Sequence, residues 1–302
     1  MERKLNDKGE EIFTFDQYPG LEVRPDVITL RDVEEIIPAA KRFPWLVKRF
    51  IHLFGIDRVN GLHSRHAMTP GPDFVAGLME EFRIPIQLDN AGVLDRFRTG
   101  AFITVSNHPF GSLDGIALIY IVTRLRPDYK VMVNMILNRI SAMRPNFIAV
   151  DQSASPDPER RAVSVNGIRE GLQMLRTGHP VGFFPAGAIG KTDREGIIVD
   201  RLWQPTVLQI IAKAKVPVVP IYFHGTNSRF FNFLGHHCVP LRTLLLPREL
   251  FKKFGKPLHV SIGDPVMPDK IAEFGKDYTA LGQYLRRLTY RLSGREITSV
   301  AD

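Results

Sequence analysis

The sequence predicts an α/β fold, with a central, largely parallel sheet flanked by helices and a helical N-terminal element packed on it. From residue 100 onward, short runs rich in β-branched and aromatic residues alternate with longer helical segments. This alternation is typical of parallel sheets, because each parallel connection needs a crossover helix. A composition of 44% hydrophobic and 24% charged residues over 302 positions excludes disordered and collagen-like classes.

The elements are predicted as follows along the chain. Residues 1–30 are of mixed composition and are expected to be loosely ordered. Helical segments punctuated by Pro and Gly follow at 31–37, 44–54 and 72–81. Strands are predicted at 102–105, 129–133, 147–150, 181–184, 216–223 and 258–262, and helices at 115–124, 158–176, 203–214, 247–254 and 278–292. We therefore assign residues 1–99 to the N-terminal element and 100–302 to the α/β domain, as one structural unit.

Cysteine content, apolar runs and net charge narrow the class of protein further. Cys238 is the only cysteine, which excludes an internal disulfide framework and favours a reducing compartment. The sequence has no run of about 18 apolar residues and no signal-peptide core. We therefore expect a cytoplasmic protein, peripheral on the inner face of the cell membrane. The formal net charge of +8 predicts an acidic partner, such as an anionic membrane surface or a carrier protein.

Two short patterns resemble ligand sites without having the required spacing. The loop at 187–192 has two residues between its glycines, where a P-loop has four. His236, His237 and Cys238 are adjacent, and no second spaced pair completes a four-ligand metal site, so we expect a surface cluster. The sequence also lacks a nucleic-acid recognition motif, and neither a metal nor a cofactor is expected.

The best candidate for chemistry lies at residues 102–115. An apolar strand runs into a Pro/Gly turn and a helix follows, with His108 at the strand exit and Asp114 at the helix entry. Ligands of α/β proteins bind at the carboxyl ends of strands. If the turn brings the two side chains together, the carboxylate fixes the imidazole tautomer, and the other ring nitrogen can take a proton from an alcohol. The alternative is that Asp114 caps the helix and His108 is an ordinary turn residue.

Three further segments support this interpretation, and together the four resemble a known family. One strand ends in Asp151 and Gln152, another ends in Phe-Pro-Ala-Gly at 184–187, and prolines frame the strand at 216–221. Over about residues 60–265 this order resembles the glycerol-phosphate and lysophospholipid acyltransferase superfamily. The resemblance implies that His108 and Asp114 form the catalytic pair, and that the second and third motifs help to bind the acceptor.

Three departures from the family pattern bear on the acceptor. Five residues instead of four separate His108 from Asp114, Gln152 stands where Arg is usual, and Ala186 stands where Glu is usual. This variant resembles the hemolysin-like branch, which includes bacterial O-acyltransferases of ornithine and glycine lipids. An amino-acid lipid with a hydroxyl and a carboxylate then fits as well as a phosphate-bearing acceptor. The residues expected to contact substrate are Asn107, Gly111, Arg139, Arg144, Gln152, Pro185, Ala186, Gly187 and Lys191; surface charge is the alternative for each cation.

The resemblance implies transfer of a fatty acyl chain from an acyl thioester to the hydroxyl of a lyso-lipid, in membrane lipid biosynthesis. The donor is expected to be acyl carrier protein or acyl-coenzyme A. His108 would act as general base, and backbone N–H groups near Gly111 or Gly187 would stabilise the oxyanion. Two alternatives remain open: a thioesterase-like hydrolase that uses the same pair on water, and a catalytically inactive membrane-binding protein.

Three stretches have a composition that suits a membrane surface. Residues 44–54 place an apolar arc opposite Lys48 and Arg49 on a helical wheel, a pattern that packing on the core explains equally well. The phenylalanines at 229–234 are expected in a loop, with the basic residues of 241–254 beside it. These stretches predict contact with anionic lipid.

Overall fold

The computed structural model confirms the α/β class, and it describes residues 1–6, 9–36, 41–151 and 157–294. The strands in these ranges are β1 (Glu2–Leu5), β2 (Glu11–Phe15), β3 (Tyr18–Val23), β4 (Ile86–Asp89), β5 (Ile103–Ser106), β6 (Lys130–Asn134), β7 (Phe147–Val150), β8 (Val181–Phe183), β9 (Lys191–Thr192), β10 (Ile198–Val199), β11 (Val218–Phe223) and β12 (Leu258–Ile262). The α-helices in these ranges are α1 (Leu30–Ile36), α2 (Pro44–Phe54), α3 (Ile56–His66), α4 (Pro72–Phe82), α5 (Leu113–Thr123), α6 (Pro158–Arg176), α7 (Pro205–Ala214), α8 (Arg229–His237), α9 (Val239–Leu244), α10 (Leu246–Phe251), α11 (Pro268–Ala272) and α12 (Tyr278–Arg291).

Seven of the described strands form the central sheet, in the order β4-β12-β11-β5-β8-β6-β7. The five strands from β11 to β7 run parallel, whereas β12 is antiparallel to β11 and β4 is parallel to β12. Ser106 of β5 pairs with Ile221 of β11, and Val105 pairs with Phe183 of β8. The carboxyl ends of β5, β8 and β11 therefore meet at one edge of the sheet, where ligands of such folds bind.

The central strands β5 and β11 are buried along their whole length because helices cover both faces of the sheet. Every residue of β5 and β11 is buried. One hydrophobic cluster joins Phe102 and Phe223 to α4 and α5, and a second joins Val105 to α7 and α12. Each large apolar side chain buried in this way contributes about 1.5–3 kcal/mol, so the edge that carries the predicted site is firmly supported.

The predicted strands from residue 100 onward all recur within two residues of their predicted ends. β7, β12, α2 and α6 match at both ends. The match is close because these segments combine strong apolar periodicity with Pro or Gly boundaries. The helix predicted at 31–37 is α1, whose last predicted residue, Ile37, lies outside the described residues.

The N-terminal segment differs from its prediction. Residues 1–30 were expected to be loose, but β1, β2 and β3 form an antiparallel sheet that buries Phe15 and Val23 in the main core. Strand β4 also comes from residues 1–99 and joins the edge of the central sheet through β12. These strands are short, and their pairing partners lie far away in the sequence or present mixed polar faces. Local pattern therefore gives little signal for them.

The segment after β11 is helical where a loop was predicted. Residues 229–234 begin α8, whose first turn is capped by the Ser228 hydroxyl, which accepts a hydrogen bond from the Phe231 N–H at 3.3 Å. Phe231 is buried, whereas Phe230 and Phe233 are exposed. The helices α9 and α10 then return to the core, and Glu249 and Leu250 are buried.

Candidate active site

The end of strand β5 is held in place by Asn107. Its Nδ2 donates to the carbonyl of Phe223 at 3.0 Å, and its Oδ1 accepts from the Phe223 N–H at 2.7 Å. These two bonds continue the pairing of β5 with β11 past Ser106 and Ile221. Asn107 is buried with both polar atoms on the β11 main chain, so the structure does not support the substrate contact predicted for it.

The turn after β5 brings the predicted pair together. His108 Nδ1 lies 3.0 Å from Asp114 Oδ2, although the N–H direction is not aligned well enough for a strong hydrogen bond. Such misalignment is common in sites without a ligand. Gly111 allows the turn, because its φ is +78° and a Cβ there would lie 2.3 Å from Ile189 Cδ1. The extra residue between His108 and Asp114 is thus accommodated by a glycine in left-handed conformation.

Asp114 does more than start a helix. Ser112, not Asp114, occupies the N-cap position of α5. The Asp114 Oδ2 accepts hydrogen bonds from the N–H groups of Phe110 at 2.9 Å and Gly111 at 3.2 Å. The carboxylate therefore fixes the turn and faces the imidazole at the same time.

Electrostatics favour a protonated imidazole beside an ionised carboxylate. Burial by itself would raise the pKa of Asp114, but His108 and the two turn amides hold that pKa below its usual value. Burial would likewise lower the pKa of His108, and the negative charge of Asp114 outweighs it and raises that pKa. The pair is thus built to stabilise the imidazolium that forms when His108 takes a proton.

A second carboxylate, Asp200, contacts the same histidine and was not predicted from the sequence. It is 1% exposed, and its Oδ1 accepts a hydrogen bond from the main-chain N–H of His108 at 3.3 Å. Trp203 Nε1 donates to the other oxygen at 3.4 Å. Burial raises the pKa of Asp200 to about 6. A lone aspartate after the short strand β10 carries no motif signal, so only the tertiary structure assigns it to the site.

The loop after β8 contacts both the ring and the main chain of His108. The Phe184 ring lies 4.3 Å from the His108 ring between centroids, and the Gly190 N–H donates to the His108 carbonyl at 2.9 Å. Gly187 has φ +63°, and a Cβ there would lie 2.0 Å from Gln204 Nε2. The third predicted motif thus packs against the His108 ring through Phe184, and the loop that follows it bonds to the His108 main chain through Gly190.

The comparison with protein families decides which class of enzyme carries this site. A family model described as acyltransferase matches residues 40–295. The chain belongs to this acyltransferase family. The acyltransferase is 26% identical over 283 residues to the lyso-glycine lipid O-acyltransferase of Bacteroides thetaiotaomicron, covering 88% of this chain and 99% of that protein. It is also 26% identical over 281 residues to the protein of that name from Phocaeicola vulgatus, covering 88% and 96%.

A solved structure is also similar to the acyltransferase. It is the 1-acyl-sn-glycerophosphate acyltransferase PlsC of Thermotoga maritima, with 16% sequence identity and a TM-score of 0.45. The similarity covers 82% of this chain and 93% of that chain.

The remaining residues predicted to contact substrate form two groups, of which the first lies close to His108. Pro185, Ala186, Gly187 and Lys191 lie on or next to the loop that touches His108, but the Pro185 carbonyl accepts from Gln204 N–H, and Ala186 is buried. Two amides in the regions predicted to hold the oxyanion are occupied, because Gly187 N–H donates to the Phe184 carbonyl at 2.9 Å and Gly111 N–H donates to Asp114.

The other predicted cations serve a different part of the acyltransferase. Arg139 pairs with Asp32 at 3.0 Å, and Arg144 Nε donates to the Asn138 carbonyl at 2.8 Å. These bonds tie the segment after β6 to itself and to α1, and the structure shows no contact between either arginine and His108. Gln152 lies outside the described residues.

Arg242 is buried, although the sequence predicted it on the surface of the acyltransferase. The sequence placed it among the basic surface residues of 241–254, but it is 4% exposed and lies on α9 behind the loop that touches His108. Burial lowers its pKa to about 10. A single arginine in a basic stretch gives no sign of burial, so the sequence could not single it out.

One cluster on the acyltransferase has the composition of a metal site. Asp89, His224 and His259 each place one ligand atom within 4.8 Å of the others. His259 Nε2 bonds to Asp89 at 2.5 Å, His224 Nε2 bonds to Ser261 Oγ at 2.7 Å, and the two rings stack with centroids 3.9 Å apart. Because both Nε2 atoms are bonded within the protein, to Asp89 and to Ser261, we describe this arrangement as a hydrogen-bonded cluster.

Proposed function

We propose that this acyltransferase moves a fatty acyl chain from an acyl thioester to the hydroxyl of a lyso-lipid, with a lyso-glycine lipid as the acceptor. The observation that carries the proposal is the 3.0 Å approach of His108 Nδ1 to the buried Asp114 carboxylate at the carboxyl end of β5. The acceptor class is supported by the two relatives, both named lyso-glycine lipid O-acyltransferases.

The mechanism depends on the different surroundings of the two ring nitrogens of His108. Nδ1 is buried against Asp114, so the exposed part of the ring, 18% of the side chain, lies on its other edge. Nε2 there removes the proton of the acceptor hydroxyl. The hydroxyl oxygen attacks the thioester carbonyl to give a tetrahedral intermediate. The C–S bond then breaks, the imidazolium returns its proton to the sulfur, and the thiol leaves. General base catalysis of this kind contributes roughly 10²–10⁴-fold.

The developing oxyanion needs backbone N–H donors near Gly111 or Gly187 that are not already bonded within the protein. In the described part of the chain, the N–H groups of Ala188 and Ile189 have no acceptor within the protein, unlike those of Gly111 and Gly187. They belong to the loop that packs on His108, so we assign the oxyanion contact to them. Preorganised amides at such a position are worth about 2.7–4 kcal/mol each to the transition state.

We further propose that the enzyme works in membrane lipid biosynthesis as a peripheral protein on the inner face of the cell membrane, with acyl carrier protein or acyl-coenzyme A as donor. No helix among the described residues is long and apolar enough to span a bilayer. Trp45, Leu46 and Leu53 of α2 are more than half exposed, although the sequence offered core packing as an equal explanation. The net charge of +8 suits both an anionic surface and an acidic donor.

The test is an assay of the purified protein with labelled acyl donors and defined acceptors. We expect acylated lyso-glycine lipid from the wild type and a loss of roughly 10²–10⁴-fold in His108→Ala. His179→Ala is the matched control, because His179 also contacts an aspartate, Asp128, at 2.7 Å but is half exposed and lies before β8. Release of free fatty acid without acylated lipid would establish the hydrolase alternative, and no turnover on any donor would establish the inactive one.

A further inference from the structure

Arg242 is a buried guanidinium without a carboxylate partner. Its Nη2 donates to the Gly190 carbonyl at 2.5 Å and its Nη1 to the Ile189 carbonyl at 3.4 Å. The guanidinium carbon lies 4.7 Å from the centre of the Phe231 ring. Nε has no hydrogen-bond partner, and none of the described Asp or Glu side chains forms an ion pair with Arg242.

This arrangement leaves a positive charge without a counterion. Arg242 stays protonated near neutral pH even though burial lowers its pKa to about 10. Buried charges in proteins are normally paired, because the desolvation cost is several kcal/mol per ion. Two carbonyl contacts and one aromatic ring use only part of its five donors. The unused donors indicate a site for an anion that the chain does not itself supply.

The guanidinium is placed directly behind the catalytic pair. Gly190 accepts from Arg242 through its carbonyl and donates through its N–H to the carbonyl of His108. Ile189, whose carbonyl also accepts from Arg242, packs on the Gly111 turn that holds Asp114. The charge of Arg242 is close enough to His108 to oppose protonation of the imidazole.

We propose that Arg242 binds the carboxylate of the acceptor, and that it thereby selects amino-acid lyso-lipids over neutral ones. This inference rests on the function proposed above, since a lyso-glycine lipid carries a hydroxyl for acylation and a free carboxylate. A carboxylate accepts two parallel charge-assisted N–H bonds from one guanidinium, and a neutral head group offers no such pair. The two arginines predicted as anion contacts, Arg139 and Arg144, are bonded elsewhere.

The test changes the charge at position 242 and the charge of the acceptor independently of each other. Lyso-glycine lipid and its methyl ester are compared as acceptors for wild type, Arg242→Lys and Arg242→Gln, with donor held constant. A charge-assisted hydrogen bond is worth about 1.5–3 kcal/mol. We therefore expect the wild type to prefer the acid over the ester by roughly 10- to 100-fold, mainly through KM, since 1.4 kcal/mol is tenfold. In Arg242→Gln the acid-to-ester ratio of kcat/KM should fall to about one, because only the acid loses a charge-assisted contact in addition to any loss that both acceptors share.

Arg201→Gln is the matched control for a role in holding the loop. Arg201 also donates to carbonyls of this loop, those of Ala186 and Gly187, at 2.9 and 3.3 Å, but it is exposed. We expect Arg201→Gln to affect acid and ester equally. An Arg242→Gln protein that loses the same factor on both acceptors would show that Arg242 only supports the loop.

Further comparisons of acceptors and variants test the proposal if Arg242→Gln does not fold. A wild type that uses acid and ester equally well overturns the proposal without any variant. Arg242→Lys, which keeps the charge, should retain a reduced preference for the acid. Faster acylation of lysophosphatidic acid than of lyso-glycine lipid, lost in Arg242→Lys, would assign the residue to phosphate instead. Failure of the wild type on every lyso-lipid would refute the proposed function and the role of Arg242 with it, whereas equal use of acid and ester refutes the role of Arg242 alone.

Discussion

The main-chain N–H of His108 donates to the carboxylate of Asp200 at 3.3 Å, while the side chain of the same histidine faces Asp114 at 3.0 Å. Two buried carboxylates therefore hold one histidine, one through its backbone and one through its ring. Their pKa values are displaced in opposite directions, upward for Asp200 and downward for Asp114. Only Asp114 gains enough from His108 and the turn amides to outweigh its burial.

The raised pKa of Asp200 predicts a loss of stability as the pH rises. Its pKa moves from 3.8 to about 6 on folding, so the folded state holds the proton more tightly between these values. Stability present below about pH 4 is lost as the pH rises through about 6, by roughly 3 kcal/mol at 1.36 kcal/mol per pKa unit. Relative to wild type, Asp200→Asn should therefore gain stability by about that amount between pH 4 and pH 7, measured by urea unfolding.

Asp128→Asn is the control for this prediction, because the contribution of Asp128 to stability changes with pH in the opposite direction. Burial would raise the pKa of Asp128, but Arg126 and His179 lower it, so the wild-type carboxylate stabilises the fold at higher pH. Removing it should cost stability as the pH rises. Parallel pH curves for wild type and Asp200→Asn would contradict the assignment.

Asp114 should control the pH dependence of turnover. The rate rises as His108 loses its proton, and Asp114 holds the pKa of His108 above its usual value despite burial. Asp114→Asn should therefore move the inflection of kcat/KM to lower pH and reduce the plateau roughly 10²–10⁴-fold, because the tautomer is no longer fixed. The measurement is a pH–rate profile from pH 5 to 9. An inflection that stays in place or rises would argue against the pair.

Gly111→Ala should cost more than an ordinary glycine substitution. A Cβ at this position meets Ile189 at 2.3 Å and Leu246 at 3.0 Å. Gly100 has φ +80°, close to that of Gly111, but nothing lies within 4 Å of a Cβ there. Gly100→Ala thus measures the backbone strain of about 1–2 kcal/mol alone, and Gly111→Ala should add about 1–3 kcal/mol of overpacking. Thermal or urea unfolding of both variants tests this, and equal losses would contradict it.

Membrane binding should depend on the exposed face of α2. Lys252 pairs with Glu249 and Lys253 bonds to the Thr226 carbonyl, so these lysines are partly committed to the protein. We expect the double change Trp45→Ser and Leu46→Ser to weaken co-sedimentation with anionic vesicles. Buried apolar side chains give a salt-insensitive part of the binding, and cations give a part that salt weakens.

The control for vesicle binding is Leu202→Ser, because Leu202 is 60% exposed in the loop before α7. It should bind vesicles like the wild type. The wild type should prefer anionic to neutral vesicles and lose part of its binding at high salt. Negligible binding of the wild type to every vesicle at low salt would remove the membrane proposal.

The parts of this protein that sequence predicts well are those with local signals. β7, β12, α2 and α6 have strong periodicity and Pro boundaries, and they were placed to the residue. The turn between His108 and Asp114 was likewise readable, because a strand, a Pro/Gly turn and a helix follow each other within 14 residues of chain, from 102 to 115. By contrast, β1, β2, β3 and β4 were not predicted. The first three pair locally but present mixed polar faces, and β4 pairs with β12, which lies far away in the sequence.

The sequence alone determined the fold class, the acyltransferase family and the candidate pair His108 and Asp114, because each of these is encoded in contiguous pattern. The tertiary structure decided which other groups surround that pair. Asp200 and Arg242 lie 92 and 53 positions from the residues they bond in the site, His108 and Ile189. In the folded protein, Arg139 and Arg144 are bonded away from His108, and Asn107 is enclosed in the sheet. Burial and pairing of charges depend on which distant segments fold against each other, and a linear pattern carries no measure of that.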